Sequence, residues 1–470
     1  MAKSVRNPSV QDDGSGETLA FHTLVVFLVV CLFTGGGSRG DIQSLVVLRP
    51  AAALACAVAC LTLTRAHCAA HRFLFGLLAA VAGLTLTHLI PLPPELWQTL
   101  PGRELVATID RSVGLGGVWR PLAMVPAAGW NALWSLLVPL AVLMLGAQLG
   151  PRRRAQLLPL VLGMILLSGL WGMLQAVGGG GRALYLYRVT NEGMAVGLFS
   201  NRNHQAITLA TLFPMLAVYA SRPANSEEQA RLRIWLCGAA AAMLVPLLLV
   251  AGSRGGLVLG VVGLIAAVLI YHRPSVAVAR RRPAASLRAR VPLLLFIALC
   301  LGALTALMSR AEALRRLISP DEGESLRFKV WGSIAEMGVQ YLPLGSGIGS
   351  FVEVYQIGER FEQLRASYLN HAHNELLEVF LTAGIPGLLL VALALYALAR
   401  AGLAAFRAPA AARGVELARL GAIVLAMFAV GSIADYPLRT PTIAAIAMIA
   451  ALWLRNAAAG KVIDEAGKNR

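Results

Sequence analysis

Residues 133–149 read LWSLLVPLAVLMLGAQL, seventeen positions without one charged side chain. A helix rises about 1.5 Å per residue, so roughly 20 such residues cross the ~30 Å hydrocarbon core of a bilayer. The same texture returns at 23–33 (TLVVFLVVCLF), 51–63 (AAALACAVACLTL) and 73–90 (FLFGLLAAVAGLTLTHLI). Of the 470 residues, 57% are hydrophobic and 14% charged, where a soluble domain carries about 45–50% apolar and about 25% charged residues. That balance excludes a soluble enzyme, a disordered chain and a coiled coil. The length of the runs, and their lack of apolar/polar alternation, excludes transmembrane β-strands. The fold class is an all-α polytopic membrane protein.

About twelve transmembrane helices are expected, near 20–35, 43–64, 71–91, 127–148, 155–177, 203–221, 232–251, 255–272, 291–309, 374–399, 415–433 and 440–456. The first is expected to stay in the chain, because no small-residue cleavage site precedes the continuing pattern of spans. Lys and Arg are retained on the cytoplasmic side. With the N-terminus inside, the inner segments hold 24 basic and 8 acidic residues, and the outer ones 17 and 16. The net charge of +17 therefore belongs almost wholly to one face. It reads as a topology signal with an attraction to anionic lipid. No aromatic-interleaved basic domain exists, so nucleic acid is not an expected partner. The six cysteines lie in spans or an inner turn, which argues against a disulfide framework.

No inner loop carries a phosphate-binding glycine motif; GGGSRG (35–40) and VGGGG (177–181) read as turns. The energy for any chemistry must arrive with the substrate. Three outer segments are substantial: 92–126, 178–202 and 310–373. The second brings Arg182, Arg188, Asn201, Arg202, Asn203 and His204 to the mouth of the sixth span. Either these form an interfacial belt with Tyr185 and Tyr187, or they line a cavity, since such groups are costly against lipid. Ser253-Arg254-Gly255-Gly256 lies at the outer end of two otherwise charge-free helices. There Arg254 either snorkels or presents a guanidinium that grips phosphate bidentately at a helix N-terminus.

Loop 310–373 contains SLRFKVWGSIAEMGVQYL, whose Leu326, Val330, Ile334, Met337 and Tyr341 form one helical stripe. It is expected to lie on the membrane or cap a cavity. PLGSGIGSF (343–351) is a glycine-rich turn, VEVYQIGERFEQLRASYL (352–369) is expected to form a second amphipathic helix, and DEGE (321–324) reads as a solvated turn. Then NHAHNELLEVFLTAGIPG (370–387) sets His371, His373, Asn374, Glu375 and Glu378 at the outer mouth of the tenth span. The i, i+2 spacing of the histidines does not face one way on a helix, so no metal is expected there. Histidine is the natural general base near neutral pH, and one of the glutamates is expected to pair with His373 or with an arginine. In the last outer turn, DYPLRTP (435–441), Asp435 and Arg439 either neutralise each other or leave Arg439 as a further cation for the site. Arg49, about two turns into the second span, is another buried cation.

Several arginines, a histidine base and carboxylates on one outer face fit an anionic, lipid-carried, already activated donor. Arginines would stabilise a diphosphate leaving group, and histidine would deprotonate an acceptor hydroxyl. Three motifs here resemble those of the bacterial O-antigen ligase superfamily, which includes polysaccharide polymerases and protein O-oligosaccharyltransferases. GLFSNRNHQA (197–206) is similar to its G-x-F-x-N-x-N element, and SRGG (253–256) to a second. His373-Asn374, nine residues, Gly384, two residues and Gly387 fit the ligases' H-[NSQ]-x9-G-x-x-[GTY] pattern.

The resemblance covers roughly 185–400, extending to the DYPLRTP turn. It implies a metal-independent inverting glycosyltransferase with no cofactor, in the bacterial inner membrane, with cytoplasmic termini and an active site facing the periplasm. The organisation expected is a cytoplasmic tail (1–19), helices 1–9 (20–309), a large periplasmic amphipathic-helix loop (310–373), helices 10–12 (374–456) and a second tail (457–470). The donor implied is an undecaprenyl-diphosphate-linked glycan, and the acceptor lipid A–core or another lipid-linked repeat unit. His373 resembles the acceptor-activating base, with His371 as the second candidate. Arg254 resembles a diphosphate-binding arginine. Arg188 matches the family arginine just before G-x-F, Arg202 stands where many members have proline, and Arg439 is a fourth candidate. Asn201, Asn203, Asn374, Glu375, Glu378 and Asp435 would support them. A protein acceptor and a transporter of anionic glycolipid are the competing readings.

Overall fold

A computed structural model describes residues 13–178, 182–276, 322–364, 368–410 and 412–455. The expected ninth span at 291–309, the Ala/Arg-rich loop beyond 276, the side chains of DEGE and both expected tails beyond these bounds lie outside the described residues.

The first half contains α1 (Asp13–Thr34), α2 (Leu45–Cys60), α3 (Arg65–Ala70), α4 (Arg72–Leu89), α5 (Pro94–Trp97), α6 (Glu104–Ser112), α7 (Pro126–Ser135), α8 (Leu137–Ala147) and α9 (Pro151–Val177). After it come α10 (Arg202–Ala210), α11 (Leu212–Ala220), α12 (Glu227–Ala251), α13 (Arg254–Ile270), α14 (Glu322–Gln340), α15 (Phe351–Gly358), α16 (Glu375–Arg407), α17 (Val415–Gly431) and α18 (Pro441–Leu454). The strands described are one antiparallel pair, β1 (Pro91–Leu92) with β2 (Arg120–Pro121).

Among the described residues six helices are long and apolar enough to cross a membrane, with α7 and α8 counted as one, and α2, α13 and α18 are shorter apolar helices. The molecule is thus a polytopic helical membrane protein, and among the described residues some of the expected spans are broken or short. One reason is visible at the sixth span, which divides at Thr211 into α10 and α11. Pro214 has no N–H to offer the Ala210 carbonyl, so the ladder fails one turn before it. Both halves are buried. With α1, α8, α9, α17 and α18 they make the main core, centred on side chains such as Leu28, Leu145, Leu212, Phe428 and Trp453.

Small residues bring the helices together, as they do where lipid gives no hydrophobic drive to association. A Cβ on Gly256 would strike that of Ala206, and one on Gly263 would stand 2.5 Å from the Ala210 carbonyl oxygen. α10 and α13 therefore run side by side in the same direction, their N-termini adjacent.

The stripe expected on SLRFKVWGSIAEMGVQYL forms α14, and it is buried against protein. Val330, Ile334, Met337 and Tyr341 pack with Phe351, Val354 and Leu381. The second amphipathic helix is much shorter than expected: α15 ends at Gly358, followed by a single 3-10 turn at Phe361–Gln363.

α16 is broken at Gly384 (φ 56°, ψ −148°). Pro386 cannot donate to the Thr382 carbonyl, and the Ile385 N–H turns away to the Pro343 carbonyl (2.9 Å). The turn PLGSGIGSF supplies the missing donors: Ser346 N–H to Leu381 O and Gly347 N–H to Thr382 O, both 2.9 Å. Buried backbone groups must find partners, and here one loop, 343–351, satisfies the break.

The expected outer segments gather at one end of the bundle. Ser200 N–H donates to the Gly36 carbonyl (3.0 Å), Thr442 N–H to Gly35 (3.0 Å), Glu375 N–H to Ser432 (3.0 Å) and Met124 N–H to Ser346 (2.8 Å). At the other end Arg154 meets His71 (2.7 Å), Trp453 Nε1 donates to the Arg154 carbonyl (2.9 Å), and His272 pairs with Glu416 (2.8 Å).

Candidate functional site

The site is built where α10, the turn before α16 and the turn between α17 and α18 meet. Asn201 caps α10, its side chain accepting from Asn203 N–H (2.8 Å). This is the usual way to satisfy a first-turn donor. The cap aims Asn203 and His204 inward. Asn203 Nδ2 donates to Asp435 Oδ2 (2.7 Å). His204 is fully buried, its Nδ1 2.8 Å from Thr440 Oγ1 and its Nε2 3.5 Å from Asp435 Oδ1.

His373 approaches the same oxygen from the opposite element, Nδ1 standing 3.3 Å from Asp435 Oδ1. Its backbone has φ 49°, and among the described residues it alone adopts positive φ without being glycine. A residue with a Cβ is held there at a cost of about 1–3 kcal/mol, and such strain clusters at functional sites. Asn374 then caps α16, accepting from Leu377 N–H (3.1 Å). Tyr436 fills the space among the imidazoles, its ring centre 4.9 Å from His204, 4.2 Å from His371 and 4.8 Å from His373. Asn370 Nδ2 donates to its hydroxyl (3.3 Å).

Asp435 is 3% exposed. Burial alone would raise its pKa, but the adjoining imidazoles of His204 and His373 overcome that and hold the carboxyl well below the usual carboxylate range. The carboxylate is thus ionised near neutral pH, and it lies on the Nδ1 side of His373.

A second charged group adjoins the first. Arg439 grips Glu375 with two bonds (Nε to Oε1 2.7 Å, Nη2 to Oε2 2.9 Å) and reaches Glu378 Oε1 through Nη1 (2.9 Å). Glu378 also takes His371 Nδ1 (2.9 Å) and Ala372 N–H (2.9 Å). In the last turn the partners of Arg439 are thus Glu375 and Glu378 rather than Asp435. The glutamates pair with Arg439 and His371, and the acid beside His373 is Asp435.

Arg202 and Arg254 come together. Arg202 opens α10, its N–H donating to Asn191 Oδ1 (3.0 Å), and its Nη1 lies 3.8 Å from where a Cβ on Gly252 would stand. Two residues on, Arg254 opens α13, capped by Ser253, whose Oγ accepts from Gly256 N–H (3.1 Å). The N-termini of α10 and α13, opened by Arg202 and Arg254, thus lie side by side, and helix N-termini favour an anion. Arg188 stands apart. It is exposed, with its charge near Asp41 of the first outer turn, and among the described residues no hydrogen bond or ion pair joins it to Arg202, Arg254 or the imidazoles.

Sequence reasoning put weight on neither His204 nor Tyr436. Only the density of polar residues at the mouth of the sixth span pointed to His204, and Tyr436 lay unremarked inside a proline-stiffened turn. Among the described residues, no three His, Cys, Asp or Glu side chains are arranged to hold a metal ion.

Fold and site together define a polytopic helical membrane protein with an imidazole–carboxylate cluster at one end of its bundle, next to two helix N-termini opened by arginines. Residues 239–392, about a third of the chain, match the family described as O-antigen ligase. That match supports the O-antigen ligase superfamily, which the motifs resemble, and with it a general role in glycan ligation. It takes in SRGG and the His371–Gly387 stretch, and lies outside GLFSNRN and DYPLRTP. No curated protein matches the chain.

Proposed function

We propose that this protein transfers a glycan from an undecaprenyl-diphosphate carrier to an acceptor hydroxyl, at the periplasmic face of a bacterial inner membrane. The observation that carries the reading is His373, held at positive φ with Nδ1 3.3 Å from the buried Asp435 carboxylate. A carboxylate on one ring nitrogen fixes the imidazole's orientation and stabilises the cation formed when the other nitrogen takes a proton. In the reaction the acceptor oxygen bonds to the anomeric carbon as that carbon's bond to the diphosphate oxygen breaks. The hydroxyl proton passes to His373. The diphosphate leaves as an anion, stabilised by Arg202 and Arg254 at the two helix N-termini. A single displacement inverts the anomeric centre, and no residue of this scheme asks for a metal. Arg439, tied to Glu375 and Glu378, holds the start of α16 against the DYPLRTP turn and so keeps His373 over Asp435.

The test is purified protein in detergent, given an undecaprenyl-diphosphate-linked repeat unit alone. A ladder of longer lipid-linked products identifies a polymerase. No ladder, followed by transfer once lipid A–core is added, identifies a ligase. Silence with both acceptors overturns the proposal for lipid acceptors and returns attention to a protein acceptor or to transport.

A further inference from the structure

Arg49 lies in the second turn of α2, beside Val46 (78% exposed), Val47 (56%) and Leu54 (66%). In an apolar helix these faces meet lipid. The guanidinium has one partner, Asn131 of α7, donating to its side-chain oxygen and, at 3.4 Å, to its carbonyl. Among the described residues no carboxylate pairs with Arg49, and its Nε–H is buried without a hydrogen-bond partner. The Asn131 amide in turn packs under Gly40 of the first outer turn, 2.6 Å from where a Cβ would stand. Trp130 and Trp134, about half exposed, are four apart on the lipid side of α7, and tryptophan favours headgroup depth. A cation thus stands at that depth, and among the described residues its partner is a neutral amide.

Charge in such a place is expensive unless it finds an opposite charge. Guanidinium matches phosphate bidentately, and the donors that Asn131 leaves over suit that geometry. We infer that Arg49 and Asn131 form a binding site for the phosphate of a membrane lipid, in the leaflet that borders the His373–Asp435 cluster. The site stands on α2 and α7, separate from the arginines of α10 and α13, and it does not depend on the transfer reaction. An anionic lipid seated there would also bridge α2 and α7, which Arg49 and Asn131 already link.

The test uses full-length protein in detergent, titrated with phosphatidylglycerol, with diacylglycerol as the phosphate-free lipid, and with inorganic phosphate. Lipid retention is read by native mass spectrometry and stability by thermal melts. Wild type is expected to retain phosphatidylglycerol over diacylglycerol, and Arg49→Gln to lose at least tenfold in apparent affinity. Asn131→Asp decides the matter should Arg49→Gln not fold. It keeps the shape of the amide but fills the cation with a carboxylate, so a binding site is lost while the link between the helices tightens. The expected outcome is tenfold weaker lipid binding with a melting temperature no lower than that of wild type. An Asn131→Asp protein that binds phosphatidylglycerol like wild type, or melts below it, overturns the site. Inorganic phosphate that stabilises as well as the lipid at equal concentration overturns the assignment to a lipid.

Discussion

One carboxylate, Asp435, answers to an amide and an imidazole 232 and 231 positions away in the chain and to a second imidazole 62 away. Removing its charge while keeping its shape should separate its two roles. Asp435→Asn is expected to lower stability by about 1–3 kcal/mol, the cost of weakening buried hydrogen bonds, and to lower turnover about 10²–10⁴-fold through misorientation of His373. Donor binding at Arg202 and Arg254 should stay near wild type. The pH dependence has a definite sign. Because the folded carboxyl is held well below the usual range, its contribution is complete above the ordinary carboxylate pKa of about 4 and is lost as pH falls through the lower folded value. Thermal melts of wild type and Asp435→Asn from about pH 7 to about pH 3 should therefore differ by a constant amount down to about pH 4 and converge below it. A difference that vanishes between pH 7 and 5 would contradict the assignment. At this scale the sequence was half legible. His373, Asp435 and the asparagines could be picked out, since polar groups at the mouths of apolar runs are costly and few. Who pairs with whom was not legible. Glu378 is five residues from His373 and Asp435 is sixty-two, yet the left-handed turn at His373 swings its ring away from its own helix toward the distant acid.

Among the elements, α16 shows how a break is held open. Gly384 occupies a backbone region that a side chain disfavours, and a Cβ there would run into the Pro343 carbonyl. Gly384→Ala is thus expected to combine backbone strain of about 1–3 kcal/mol with overpacking of about 1–3 kcal/mol. Gly163, inside α9, has nothing within 4 Å of its Cβ position, so Gly163→Ala should leave the protein as stable or raise it by about 0.5–1 kcal/mol. Melts of the two variants in detergent make the comparison, and equal effects would show that the break bears no strain. The spans at 203–221 and 374–399 were expected unbroken, and the breaks at Pro214 and Pro386 were not read from the sequence. Nor was the cure of the second break, because the donors for Leu381 and Thr382 come from PLGSGIGSF, some 35 residues earlier. The same remoteness hid the fate of α14: its stripe was plain, but a stripe does not say whether its partner is lipid or Phe351, Val354 and Leu381.

Across the whole molecule the charge distribution and the packing make one testable statement. Positive charge is retained on the cytoplasmic side because Lys and Arg translocate poorly, and the sequence gathers most of its excess on the connections that meet near Arg154, His71 and His272. The segments that meet near Asp435, Arg39 and Met124 are nearly neutral in sum. If the bundle sits in the membrane as this asymmetry requires, Glu95 in α5 faces the periplasm and Arg65 in α3 faces the cytoplasm; both are exposed. In a background with the native cysteines replaced, Glu95→Cys in intact spheroplasts should react with a membrane-impermeant maleimide, and Arg65→Cys only after permeabilisation. The opposite pattern would place the His373–Asp435 cluster on the cytoplasmic side. There a periplasmic glycan donor could not reach it, and the proposed chemistry would fail with the topology. Labelling of both without permeabilisation would show that one of the two connections crosses to the other side, and would break the pairing of ends on which the charge argument rests.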